Sequence, residues 1–434
     1  MLAGGWRLAA GGWRLAAGGW RLLGGGWRLR HNARSLDGPV ATAGRGERRA
    51  GRVGEGEGVT DSHDAIVVGL GAIGSASAYH LAKRGARVLG IEQFRPGHDR
   101  GSSHGEHRMI RRSSFSDDGY VPLSERALDL WAALGEEAGE QLLHEIGEVW
   151  LVDGDDPARE AGIANSIASG FRVPLGEREL AERFPGTRLW PGMRAFYEAK
   201  AGFVRSEAGI RAHVRLAERH GAEIRTDEEV TGWAADGGGV RVETTQGSYR
   251  AGRLVLAAGC WTEELLNGLS LPMEVQRRVN GWFRPTRPDW WTVEQGAPDF
   301  LLNVPEGSFY GIPSVDGLGL KIGLSAGEAT TARTIRREIA DEEIDFLREV
   351  LNRYLPGASG PEIRRITCMC TYTVDSDFIV DTYPGLPQVG IACGMSGRGF
   401  KFAPVLGEVM ADLALAGATG HDVGFLGVGR FGAK

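Results

Sequence analysis

Apolar and polar positions follow three rhythms along this chain, and each rhythm predicts a kind of element. Short apolar runs at Ala65–Val68, Arg87–Ile91 and Arg253–Ala258 have the pattern of strands buried on both faces. Period-two alternation over Glu223–Trp233, Val240–Thr245 and Val275–Phe283 predicts strands with one covered face. Helical spacing predicts a helix over Ser75–Lys83, stopped by Gly85, and another from about Glu207 to Arg219, capped at Gly221. Two more are predicted over Leu123–Leu143, with Leu128, Trp131, Leu134, Leu142 and Leu143 inward, and over Ile335–Tyr354.

The first run leads into the spacing G-x-G-x-x-G at Gly69, Gly71 and Gly74. Gly69 permits a tight turn, Gly71 lets the backbone approach a pyrophosphate, and Gly74 lets the helix pack closely on the strand. The helix start then presents unpaired N–H groups and a positive dipole end to phosphates. Glu92, 18 residues after Gly74, ends the second strand where a carboxylate accepts hydrogen bonds from a ribose. A glycine triplet alone is weak. Strand, helix, second strand and acid in register predict a bound dinucleotide, and Glu92 favours FAD or NAD over NADP.

The βαβ style returns at Arg253–Gly259 and again at Gly390–Lys401, where a strand, a glycine loop and a helix through Ala414 follow one another. The fold class is therefore α/β with mixed α+β character: a Rossmann-like cofactor domain beside a second, mixed-sheet domain. The expected segments are 61–147, 201–270 and 361–434 for the first and 148–200 and 271–360 for the second.

Residues 1–58 differ from the rest. Gly-Gly-Trp-Arg-Leu recurs with Trp6, Trp13, Trp20 and Trp27 seven apart. Glycine pairs in every repeat oppose a helical heptad reading. Ten arginines against four acids give this stretch +6 and leave −12 for the remainder of a chain of net charge −6. The expectation is a low-complexity, disordered tail over 1–60, with translation beginning near Val59 and residues 1–58 dispensable.

Net charge −6 argues against a nucleic-acid surface, and no apolar run spans a bilayer. Four cysteines are too few for a disulfide framework, so a soluble cytoplasmic protein is expected. His104 and His107 form H-x-x-H without a third ligand, and they read as loop histidines rather than a metal site. Arg95–Tyr120 is a polar, glycine-rich loop placed to lie over a cofactor, and on a helical turn Arg108 and Arg111 would share a face. Lys321 falls within an apolar strand pattern, where burial lowers a lysine pKa; an edge position facing water fits the pattern equally well.

Taken together, the stretches Gly69–Gly74, Ser103-His-Gly-Glu-His-Arg108-Met-Ile-Arg111, Tyr120-Val-Pro-Leu, Tyr310-Gly-Ile-Pro, Gly319-Leu-Lys321-Ile-Gly, Cys368-Met, Phe378-Ile-Val-Asp381 and Ser396-Gly-Arg-Gly-Phe-Lys401-Phe have a recognisable order and spacing. From about Asp64 to Phe431 the chain resembles the monomeric sarcosine oxidase and N-methyltryptophan oxidase family of flavin amine oxidases. The resemblance implies FAD, joined covalently through Cys368 to a ring methyl, and oxidation of the C–N bond of a secondary amino acid. Molecular oxygen is then the acceptor, hydrogen peroxide the product, and a monomer the expected state. It places Arg111 and Lys401 on the substrate carboxylate, Lys321 at the oxygen-reactive side, Tyr310 in the active site and Arg108 near the ring. It also implies cofactor contacts at Gly69, Gly71, Gly74, Glu92, Ser103, His104, Val230, Gly259, Gly397, Gly399 and Phe400.

Three positions depart from the sarcosine oxidase pattern: Ser325 replaces a histidine, Cys370 a tyrosine, and Arg398 the histidine of Gly-His-Gly. These spare the cofactor and carboxylate positions but alter the pocket, so sarcosine itself is in doubt as the substrate. Two alternatives stand beside the oxidase: a dehydrogenase of the same fold with another electron acceptor, and a flavin-binding protein without turnover. Cys368 and Cys370 share one strand face, and the count of ten residues to Phe378 selects Cys368 as the flavin cysteine within the family pattern.

Overall fold

The computed structural model describes residues 63–113 and 119–432. The expected tail over 1–60 lies outside the described residues.

Parallel pairing sets the first sheet. His63–Val68 lies between Val88–Ile91 and Ser248–Leu256, with Val67 opposite both Gly90 and Val255. Glu223–Arg225 extends one edge, Leu386–Cys393 with Ile379–Tyr383 continues beyond Ser248–Leu256, and the Val230–Asp236/Gly239–Thr244 hairpin completes eight strands. Ala65 and Val67 face a helical core with Trp131, Leu134 and Leu406, whereas Ile66 and Val68 face a second core with Trp233 and Val242. Two covered faces explain the unbroken apolar run. The helices Ala72–Lys83 and Ala403–Ala416 pack so closely that a Cβ on Gly407 would lie 2.5 Å from the Ala76 Cβ.

The second sheet has nine strands. Its order runs Glu328–Thr330, Met273–Phe283, Leu320–Leu324, Gly307–Ile312, Asp299–Val304, Glu148–Val152, Arg194–Glu198 and Val173–Leu175, with Glu362–Thr373 also paired to Met273–Phe283. One face packs Phe283, Phe300 and Ile322 against the helix Asp341–Tyr354. The opposite face is the one that matters for chemistry. A small three-stranded sheet pairs His107–Ile110, Gly202–Arg205 and Leu143–Glu145 in that spatial order.

Several boundaries differ from the sequence reading. The second helix runs Tyr120–Ala138 and stops at Gly139 (φ 70°), so Leu142 and Leu143 lie beyond it. The helix expected from Ile335 begins at Asp341, because Arg277 binds the carbonyls of Arg336 and Glu338 and holds that segment out of a helix. Asp227 (φ 57°) splits Glu223–Trp233 into two strands, with its N–H on Phe94 O. Arg108 sits in the strand His107–Ile110, so Arg108 and Arg111 do not share a helical face. The boundary at 361 also shifts: Glu362–Thr373 belongs to the second sheet, and the first resumes at Ile379. No described helix is long and apolar enough to cross a membrane.

Candidate active site

One cavity of about 780 Å³ joins the glycine turn of the first sheet to the open face of the second. At Gly69 (φ 84°) an added Cβ would lie 2.8 Å from Ala257 O, and at Gly74 only 1.8 Å from Gly69 O. Gly71 is different: a Cβ there meets only Ser103 Oγ, at 3.8 Å, and fills cavity space instead. Gly71 is the N-cap of the helix, and no side chain caps it. Glu92 is buried at the cavity wall, held by Leu70 N on Oε2 (2.8 Å) and Phe94 N on Oε1 (3.0 Å). Open backbone at Gly71, an uncapped helix start and a fixed carboxylate fit the pyrophosphate and ribose of a dinucleotide.

Strand alternation builds the other end. Cross-strand register puts Leu301 beside both Trp150 and Tyr310, Gly323 beside Tyr310 and Asn280, Lys321 beside Ile312 and Trp282, and Cys368 beside Arg278. Since successive side chains alternate, Glu148, Trp150, Tyr310, Lys321, Asn280 and Cys368 all project from one face. Gly323 leaves room for Tyr310 Oη to donate to Asn280 Oδ1 (2.8 Å), where a Cβ would sit 2.5 Å from that oxygen. Burial raises the Tyr310 pKa.

Asn280 Nδ2 also approaches Cys368 Sγ at 3.7 Å. The Cys370 thiol stabilises the Cys368 thiolate, with Arg108, Lys321 and Arg278 adding positive charge against the opposing effect of burial. The Cys368 pKa falls to about 6. The same hydrogen bond, together with burial, holds Cys370 protonated well above the usual thiol range.

Arg111 Nη1 donates to Glu148 Oε2 (3.1 Å), and Arg111 O accepts from Lys401 Nζ (3.2 Å). Glu148 also binds Arg172, which pairs with Glu198 at 3.3 Å. Glu148, Arg172 and Glu198 are all buried, so they anchor Arg111 from beneath. Burial and the Arg111 charge push the Lys401 pKa well below its ordinary value. Sequence reading missed this network and Asn280. A glutamate at the start of the apolar strand Glu148–Val152 was the available signal.

Arg108 spreads over the carbonyls of Ser102 (2.7 Å), His104 (2.5 Å) and His107 (2.9 Å). Lys321 is buried rather than at a wet edge; its Nζ donates to Gly105 O (2.8 Å) and His107 O (2.9 Å). Burial, then Arg108, lowers its pKa strongly. Lys321 thus stands behind the Gly105–His107 backbone, whereas Arg108, Arg111, Tyr310, Cys368 and Lys401 line the cavity. Ser103, Val230, Gly259, Gly397, Gly399 and Phe400 line it as well. His104 is buried against Thr367 O (3.0 Å) beside the cavity, and Gly74 contributes packing. No described group of His, Cys, Asp or Glu is arranged to hold a metal ion.

A dinucleotide turn that shares one cavity with a buried thiol, Arg111 and Lys401 has the layout of a flavin oxidoreductase. The model of the FAD dependent oxidoreductase family (DAO) matches residues 64–413, and the chain belongs to that family. It is 39% identical over 383 residues to a monomeric sarcosine oxidase of Streptomyces avermitilis, covering 86% of this chain and 99% of that one. An N-methyl-L-tryptophan oxidase of Salmonella heidelberg is 34% identical over 386 residues, covering 85% and 99%. Among solved structures, the open form of NikD, an unusual amino acid oxidase essential for nikkomycin biosynthesis, superposes with a TM-score of 0.75 at 28% identity. That match covers 85% of this chain and 98% of NikD.

Proposed function

We propose that this chain oxidises the C–N bond of a secondary amino acid, N-methyl or cyclic, to an imine, with oxygen as acceptor and hydrogen peroxide as product. The observation that carries the reading is the single cavity onto which Gly71, Glu92, Cys368, Arg111 and Lys401 all open. Its sarcosine and N-methyltryptophan oxidase relatives support the substrate class. FAD, when bound, supplies the two-electron chemistry and the transfer to oxygen.

The protein's part is positional and electrostatic. Arg111 and Lys401 take the substrate carboxylate, and the Glu148–Arg172–Glu198 network keeps Arg111 from swinging away. Lys401 is poorly solvated, so an anion beside it favours its charged form. Tyr310, locked by Asn280, lines the same cavity as Arg111 and Lys401. Lys321, whose Nζ donates to Gly105 O and His107 O, favours its charged form when negative charge develops on the cavity side of Gly105–His107. Cys368, with its favoured thiolate, is the residue for covalent attachment.

The test is direct. Purified yellow protein is mixed anaerobically with N-methyl and cyclic amino acids, then exposed to air. Bleaching of the flavin followed by stoichiometric peroxide is expected. Bleaching without peroxide identifies the dehydrogenase alternative, and no bleaching by any amine leaves only a flavin carrier.

A further inference from the structure

The cavity does not end at the carboxylate cations. Along Glu148–Val152 it continues past Trp150, with Leu301 and Tyr310 beside it, to Asn303, Ser308 and Arg159. From Glu148 to Val152 is four residues, about 13 Å of strand.

The far end is ordered. Trp150 Nε1 donates to Asn303 Oδ1 (2.6 Å), and Asn303 Nδ2 donates to Ser308 Oγ (2.6 Å), which leaves the Ser308 hydroxyl proton to give. Arg172 lies over the Trp150 ring at 4.5 Å. Arg159, on the first turn of the helix Pro157–Ala168, lines the same end. Among the described residues, its Nη2 reaches the carbonyls of Asp153 (3.4 Å) and Gly154 (3.3 Å), and its buried Nε has no hydrogen-bond partner. Its sequence neighbour Glu160 lies within electrostatic reach but spends both oxygens on Arg194 (2.5 and 2.9 Å), and Asp156, also on the cavity lining, accepts from Arg159 N at 2.8 Å.

We infer that the substrate carries a substituent ending in a carboxylate, with an apolar middle against Trp150, Leu301 and Tyr310 and its terminal anion on Arg159 and Ser308. The inference rests on the amino-acid oxidase reading above and names the substrate class for it. A guanidinium facing cavity, with weak carbonyl contacts and a buried unpartnered N–H, gains most from a bidentate anion. Ser325, which stands where the sarcosine oxidase pattern has a histidine, also lines the cavity, with its N–H on Ser308 O (2.8 Å).

The experiment compares anaerobic flavin reduction of the holoenzyme by N-methylglycine, N-(4-carboxybutyl)glycine and its neutral isostere N-(4-carbamoylbutyl)glycine. The terminal carboxylate is expected to raise the reduction rate constant divided by Kd about tenfold over the amide. Arg159→Met should bring that ratio to about one, and Arg159→Lys should restore most of it, with flavin absorbance reporting that both variants fold. A ratio near one in the unmutated enzyme, or a tenfold ratio surviving in Arg159→Met, overturns the inference. If N-methylglycine reduces the flavin while the ratio is one, the amino-acid oxidase reading stands and this inference alone fails. If none of the three reduces it, this inference falls, and the wider panel of N-methyl and cyclic amino acids decides the oxidase reading.

Discussion

Two thiols two residues apart on one strand have opposite proton affinities, because one donates to the other. Cys368, near pKa 6, has its thiolate held by Cys370 and by three nearby cations, whereas Cys370 stays protonated. Flavin should therefore remain with the acid-precipitated protein. Cys368→Ser should release it to the supernatant, and Cys370→Ser, which keeps a donor, should not. Release from the unmutated protein would end the covalent assignment. The second residue-scale prediction concerns Lys401. A charge-assisted hydrogen bond contributes about 1.5–3 kcal/mol, so Lys401→Met should weaken amino-acid binding by roughly ten- to a hundredfold. Bound flavin should be unchanged. Equal oxidation of amines that lack a carboxylate would place Lys401 elsewhere in the mechanism.

At the scale of elements, the turn from His63–Val68 into Ala72–Lys83 uses its glycines for separate purposes. Gly74 is required by backbone, since its Cβ would meet Gly69 O at 1.8 Å. Gly71 has φ −68°, ordinary for any residue, and a Cβ there enters the cavity. Gly74→Val should abolish soluble folded protein, whereas Gly71→Val should fold with native circular dichroism and lose its flavin. Two variants with the same phenotype would show that the turn cannot be divided this way. The spacing G-x-G-x-x-G contained this distinction, because a strand–turn–helix of that length admits one geometry. The helix boundaries at Ala138 and Asp341 were less legible. A local apolar pattern does not reveal that Gly139 turns left-handed or that Arg277, over fifty residues away in sequence, captures the carbonyls before Asp341.

Across the whole molecule, burial sets the acid limit. His80 and His104 are depressed to about 4, and His107 and His213 to about 3, in each case chiefly by burial. Neither ring nitrogen of His213 has a hydrogen-bond partner among the described residues. A histidine near 6.5 when unfolded takes up a proton below that pH, and the folded chain refuses it. These four sites thus favour the fold fully above about pH 6.5, and the contribution falls as pH drops from there toward 4. The slope is about 1.4 kcal/mol per pH unit for each withheld proton. Thermal melts should show Tm declining between pH 6.5 and 5, above the range where paired carboxylates titrate. A flat Tm over that interval would contradict the burial of these rings.

The sequence by itself determined what local chemistry dictates: a βαβ turn that only glycine can make, an acid at the end of its second strand, and strand periods that aim alternate residues at one face. It also placed Lys321 and Cys368 on strands, and two-residue alternation is a local property. What only the tertiary structure decided is which faces meet. The sequence cannot tell that Glu148 lies under Arg111, that Asn280 links Tyr310 to Cys368 across Gly323, or that Lys321 stands behind a stretch of backbone. Those contacts join residues from strands far apart in the chain, and cross-strand register, set by the packing of two whole sheets, brings them together.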